Sequence, residues 1–266
     1  LILIILALYT LAPLLFLFVN AFKSNNEIIA SPVALPEHWT LQYIKTAMEA
    51  INFGKALGLT FIITFFSILL LVIVSSFAAW AMVRSKTILS NIVFLCFTAA
   101  MLVPFQSLMY PLLSVFEKMG LKNVQGLILM YGGFGLSMSV FLYHGFIKSV
   151  PASLEEAAVL DGANLFQMFF KVVFPLLKGT TVTVIVLNGM WIWNDYLLPF
   201  LVIGNKTGSK TLTLELYFAK LTSGQYGNPW ELIFPAVFVT IIPIIILYIF
   251  LQKYIVAGVS EGAVKM

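Results

Sequence analysis

A chain of 266 residues that is 61% hydrophobic and only 10% charged lies outside the range of soluble domains, which are about 45–50% apolar and about 25% charged. The formal net charge of +4 is modest and the 15 basic residues fall singly, which excludes a nucleic-acid patch. One cysteine, Cys96, excludes an internal disulfide, and two distant histidines, His38 and His144, offer no metal-ligand spacing.

Crossing a hydrocarbon core takes about 20 apolar residues, and six stretches qualify. They are Leu1–Phe22, Ala56–Val83, Leu89–Phe116, Gly126–Phe146, Gly179–Val202 and Leu232–Tyr254. In lipid the backbone must satisfy its own hydrogen bonds, so all six are expected to be helices. The first lacks the basic n-region and short apolar core of a secretory signal. It begins in mid-run, as a spanning helix does when its natural N-terminal tail is absent from the sequence.

Between the first two spans lies a polar stretch, Lys23 to Lys55, with a predicted amphipathic helix at Leu41–Glu49. A second, Asn205 to Trp230, contains "TLTLELYFAK", whose alternation suits a strand or a lipid-surface helix equally. Charge does not orient the molecule. Seven basic residues fall on the side that holds the termini and eight on the other, which is no positive-inside signal.

The acidic passage "SLEEAAVLDGAN", residues 153–164, interrupts this apolar chain. Pro151 disfavours helix at the residue before it. Ser153 and Glu156 have the spacing of a capping box. Glu155 and Glu156 fall in a first turn, where the helix dipole favours negative charge by about 0.3–1 kcal/mol. Gly162 suits the left-handed conformation that stops a helix, and Asn164 suits the cap of the next one, "LFQMFFKVVFPLL". By itself this spells a capped helix, a glycine turn and a second helix leading into the fifth span.

The spacing of Glu156-Ala157-Ala158, Asp161-Gly162-Ala163 and Pro175 resembles the EAA loop of membrane subunits of binding-protein-dependent ABC importers. Val172 and Phe174 stand where that pattern has Ile and Leu, and its usual later proline is absent near Lys178-Gly179. "WIWNDYLLP", residues 191–199, and "LQKYIVAGVSEGAVK", residues 251–265, resemble segments of carbohydrate-uptake permeases, specifically the G-type membrane subunit of maltose and multiple-sugar importers. With the six spans, the likeness covers nearly the whole chain.

The resemblance implies one all-α transmembrane domain over residues 1–266, of the type I ABC importer class, in the cytoplasmic (inner) membrane of a bacterium or archaeon. Both termini and the EAA loop, about residues 148–178, are then cytoplasmic. A second permease subunit, two ATPase subunits and an extracytoplasmic sugar-binding protein are the implied partners. ATPase coupling is expected from Glu155, Glu156, Ala157, Ala158, Leu160, Asp161, Gly162, Ala163 and Pro175. Leu154, Ala157, Ala158 and Leu160 are the expected packing surface. The tail Val256–Met266 is either near the ATPase interface, as the family implies, or a disordered end.

No phosphate-binding loop is present; "GNKTGSKT", residues 204–211, has the wrong spacing. ATP and Mg are therefore expected on the separate ATPase chain, with no cofactor on this one. Intramembrane polar residues mark functional positions, and Asn188, Trp191, Trp193, Asn194, Asp195 and Tyr196 are the candidate substrate pathway. The same residues also suit interfacial aromatic belts and bridges between helices. An importer for a non-sugar solute shares the EAA loop, and a secondary transporter remains a different class of reading. No cluster with acid, base or metal chemistry points to a membrane enzyme.

Overall fold

The computed structural model describes residues 2–204, 210–223 and 228–263. Thirteen helices and no strand occur among them. In chain order they are α1 (Ile2–Asn20), α2 (Asn25–Ala30), α3 (Gln42–Ala50), α4 (Phe53–Ser85), α5 (Ile88–Ala100), α6 (Phe105–Lys118) and α7 (Val124–Ile147). Then follow α8 (Ser153–Leu160), α9 (Leu165–Leu176), α10 (Lys178–Asn194), α11 (Leu197–Val202), α12 (Leu212–Ser223) and α13 (Trp230–Ala263). Four segments are single helices long and apolar enough to cross a membrane: α1, α4, α7 and Trp230–Phe250 within α13. Two further pairs pass the same test but are bent, α5 with α6 by 106° and α9 with α10 by 77°, for up to six spans among the described residues.

Breaks in the helices correct two of the expected spans. Leu89–Phe116 is not one helix. Proline lacks an N–H, and its ring collides with the carbonyl four residues earlier; α5 accordingly ends at Ala100, four before Pro104, which precedes the first residue of α6. Gly179–Val202 is also divided, since α10 stops at Asn194 and α11 starts at Leu197. Pro199 rules out an ordinary helical bond to the Asp195 carbonyl. That carbonyl instead accepts a hydrogen bond from Thr213 Oγ1 at 2.8 Å.

By its contacts the chain forms two compact units. One comprises Leu1–Phe61 and Asn194–Tyr248, the other Ile62–Trp193 and Ile249–Met266. In the first, α3 confirms the amphipathic helix expected at Leu41–Glu49. Its Ala47, with Ile51 just beyond, packs on Ala236 and Val239 of α13. "TLTLELYFAK" is helix α12, and its first turn buries Leu212 and Glu215. Thr60 Oγ1 accepts the Leu212 N–H at 2.9 Å, an interaction across distant sequence that selects helix over strand here.

In the second unit, α4, α7, α9 and α10 share a core built on Ala79, Tyr143, Phe169 and Val184. Asn123 caps α7 by accepting the Gly126 N–H at 3.0 Å. A Cβ at Gly126 would lie 1.7 Å from the Leu121 carbonyl oxygen. Helix α13 continues through Ala263, so most of Val256–Met266 is helical; residues 264–266 lie outside the described residues, as do 205–209 of "GNKTGSKT".

Gly126→Ala is expected to destabilise the protein by about 1–3 kcal/mol, the usual cost of overpacking. Gly133→Ala, whose Cβ meets nothing within 4 Å, is expected to be neutral or slightly stabilising by helix propensity. Thermal unfolding of both variants in detergent checks the pair.

Candidate functional site

Helices α8 and α9 form a hairpin in the second unit. Helix α8 spans the expected residues but starts differently from the expected capping box. Ala152 is the N-cap, no side chain caps the helix, and Ser153 is already helical. The Ala152 carbonyl accepts the Glu155 and Glu156 N–H groups at 2.9 and 3.0 Å. The capping box sits instead on α9, where Asn164 Oδ1 accepts the Gln167 N–H at 2.9 Å and Gln167 Oε1 accepts the Asn164 N–H at 3.0 Å.

The stop between the helices matches the expectation for Gly162. Its φ is +81°, the left-handed region that favours glycine. The Gly162 N–H donates to the Val159 carbonyl at 3.0 Å and the Ala163 N–H to the Ala158 carbonyl at 2.9 Å. This is the Schellman pattern that satisfies the last carbonyls of a helix.

Pro175 shapes the other limb. Five residues ahead of it, Phe169–Val173, adopt π-helical geometry, and the Phe174 N–H reaches back to the Phe169 carbonyl. The wider turn accommodates the proline without a collision at Lys171. After Leu177 the chain bends into α10.

Glu155 turns inward, 8% exposed. Its Oε1 accepts Arg84 Nε at 2.8 Å and lies 2.7 Å from Arg84 Nη2. Its Oε2 accepts the Trp80 indole N–H at 3.0 Å. Arg84 Nη2 also donates to the Val150 carbonyl at 3.0 Å, just ahead of α8. Both carboxylate oxygens are thus engaged. Removing one partner is expected to cost on the order of 2–3 kcal/mol, less than for a dry pair, because Arg84 keeps 22% side-chain exposure.

The outward face of α8 is correspondingly narrower than expected. Ala158 is buried beside Glu155 and leaves the predicted packing surface, while Leu154, Glu156, Ala157 and Asp161 stay exposed. Val159 is 57% and Leu160 88% exposed, and across the turn Leu165 and Phe166 are 54% and 66% exposed. Pro175 is exposed and Ala163 half-buried. The Trp80–Arg84 pair was missed as site residues; an i, i+4 Trp and Arg closing an apolar span, with the Arg unique in the chain, was the available signal.

Of the candidate pathway residues, Asn188, Trp191 and Trp193 belong to the second unit. Asn188 is buried; its Nδ2 donates to Ser139 Oγ at 3.1 Å and to the Val184 carbonyl at 2.9 Å. It therefore bridges α10 to α7, where a Cβ at Gly135 would lie 2.5 Å from its Oδ1. Trp191 is half-exposed and meets Tyr131 edge-on with centroids 5.4 Å apart. Trp193 is buried, and its indole N–H has no acceptor among the described residues.

Asn194, Asp195 and Tyr196 belong to the first unit. Asn194 is exposed, and Asp195 Oδ1 accepts the Leu197 N–H at 2.9 Å at the start of α11. Tyr196 is 45% exposed and stacks on Tyr217 at 5.4 Å, a partner the sequence did not suggest. His144 lies face to face with Phe94 at 3.6 Å, a packing role.

Among the described residues the chain is all-helical and multiply spanning, with a glycine-stopped helical hairpin between its spans. Residues 72–261 match the family described as binding-protein-dependent transport system inner membrane component, and the chain belongs to that family. Among its relatives is a probable starch degradation products transport system permease of Thermoanaerobacterium thermosulfurigenes, 43% identical over 98% of this chain and 94% of that one. A multiple sugar-binding transport system permease of Streptococcus mutans is 36% identical over 96% and 92%. A melibiose/raffinose/stachyose import permease of Bacillus subtilis is 33% identical over 95% and 91%. The fold matches a chain in the crystal structure of a bacterial ABC transporter involved in the import of the acidic polysaccharide alginate, with a TM-score of 0.82 at 23% identity over 95% of this chain and 93% of that one.

Gly162→Val places a β-branched residue at positive φ, which costs about 1–2 kcal/mol. It is expected to raise protease sensitivity at the α8–α9 turn while leaving the thermal unfolding of the bundle little changed. Gly162→Asn, which tolerates this region, is expected to be milder; limited proteolysis ranks the two.

Proposed function

We propose that this chain is a membrane-spanning permease subunit of a binding-protein-dependent ABC importer for sugars or oligosaccharides, acting as one transmembrane domain. The observation that carries the reading is the exposed edge of the hairpin, Val159, Leu160, Leu165 and Phe166, on a hairpin anchored by the partly buried Arg84–Glu155 ion pair. A short helix offering apolar side chains from a rigid base suits docking in a groove of a partner. That partner is a separate ATPase, one of two, which binds and hydrolyses ATP with Mg. Family membership and the printed roles of the relatives support the sugar class.

In this reading the hairpin and both termini face the cytoplasm. A second permease completes the pathway, and an extracytoplasmic binding protein delivers the sugar. Glu156, Ala157, Leu160 and Asp161 meet the ATPase, while Gly162, Ala163 and Pro175 set the hairpin's shape. Along the pathway, the half-exposed rings of Trp191 and Tyr196 suit the C–H faces of a sugar. The unpaired Trp193 N–H suits a hydroxyl. Asn188 acts as a bridge between helices. Asp195 holds the break between α10 and α11.

Co-expression with the partner subunits tests the proposal, with ATP hydrolysis measured in the presence of the binding protein and maltotetraose as the first probe. Sugar-stimulated hydrolysis supports it; failure of any ATPase to co-purify removes it. Leu160→Asp is expected to lower ATPase capture about tenfold, the loss of one buried apolar anchor, without affecting thermal stability. Asp195→Asn retains the cap on Leu197 and is expected to preserve assembly, whereas Asp195→Ala loses the cap; comparing uptake in the two separates charge from helix capping.

A further inference from the structure

Helix α4 holds both limbs of the hairpin with one face. Phe77, Trp80 and Arg84 recur at helical spacing near its C-terminal end. Arg84 and Trp80 take the two oxygens of Glu155 on α8. Phe77 and Trp80 pack against Phe169 on α9, with ring centroids at 4.9 and 5.3 Å, and Phe77 stacks on Phe166 at 6.4 Å. The arginine lies in the last turn of α4, where the helix dipole favours a cation. Its planar fork reaches one carboxylate oxygen through two nitrogens and a backbone carbonyl through one of them, a geometry that a lysine ammonium does not reproduce.

Covalently, α9 leads to α10 through a 77° bend at Leu177, and α8 follows α7 through a short link. Neither connection joins the hairpin to α4, which is far away in sequence. We propose that the Trp80–Arg84–Glu155 clasp is the mechanical link that makes the hairpin and α4 move as one piece, so that a displacement of α8 is delivered to a 33-residue spanning helix. Glu155 and Arg84 are positioning residues in this account. Glu156, one residue away, points outward and is left for the partner. The inference rests on the importer reading and adds the route by which motion enters the membrane. It requires an element that both ends bias together.

The test uses the complete importer with its ATPases, Cys96→Ser in this chain, and spin labels on cysteines introduced at Ile73 of α4 and Ser153 of α8, both exposed and outside the docking edge. The label-to-label distance distribution is measured with and without ATP and vanadate. With the clasp intact, the distribution is expected to stay the same in both states. Glu155→Gln and Arg84→Gln are expected to shift or broaden it on trapping while ATPase capture persists. Trp80→Phe keeps the ring packing but loses the N–H, and is expected to give an intermediate distribution. A wild-type distance that changes on trapping, or clasp variants that behave as wild type, would overturn the link. Failure of the wild-type chain to hold an ATPase would overturn the importer reading itself, and the link with it.

Discussion

A backbone crossing hydrocarbon must close its own hydrogen bonds, because no water is there to take them. Much of this chain obeys that constraint with unbroken helices. Three departures each sit four residues before a proline. At Ala100 the helix ends and turns sharply; at Lys171 the ladder widens into a π-helical turn; at Asp195 the carbonyl turns to Thr213. The first lies at the α5–α6 bend, the second within the hairpin's own limb α9 and the third just past α10, so each marks a proline where the helical ladder is interrupted.

The two adjacent glutamates of α8 illustrate how one helical residue of offset, about 100°, separates two roles. Glu155 is enclosed by α4 and contributes to internal order. Glu156 stays exposed. An N-cap made by a backbone carbonyl leaves both side chains free for this division, and the dipole at the start of α8 favours negative charge on each.

Helix class, the number of apolar stretches, the extent of α8, the glycine stop and the Asn164 cap were legible in the sequence because each rests on local chemistry. The Ser153 box was not, because the helix starts one residue earlier than expected, with Ala152 as its N-cap and Ser153 already helical. Nor could hydropathy show the breaks at Pro104 and Pro199. Pro13, Pro111, Pro235 and Pro243 are carried inside helices, so a proline does not by itself end a helix. Asn188 and Asp195, both expected in the substrate pathway, also make a helix bridge and a cap whose partners hydropathy does not show.

The π-helical turn gives the interval from Gly162 to Pro175 a physical unit. A π turn holds about one residue more than an α turn and takes that residue up in its wider winding. Delete one residue between Phe169 and Val173 and the helix relaxes to ordinary winding with Phe166 and Pro175 facing nearly the same directions as before, but Pro175 then meets the carbonyl four residues ahead of it. The extra residue therefore behaves as slack: it leaves the edge and the bend in phase while making room for the proline.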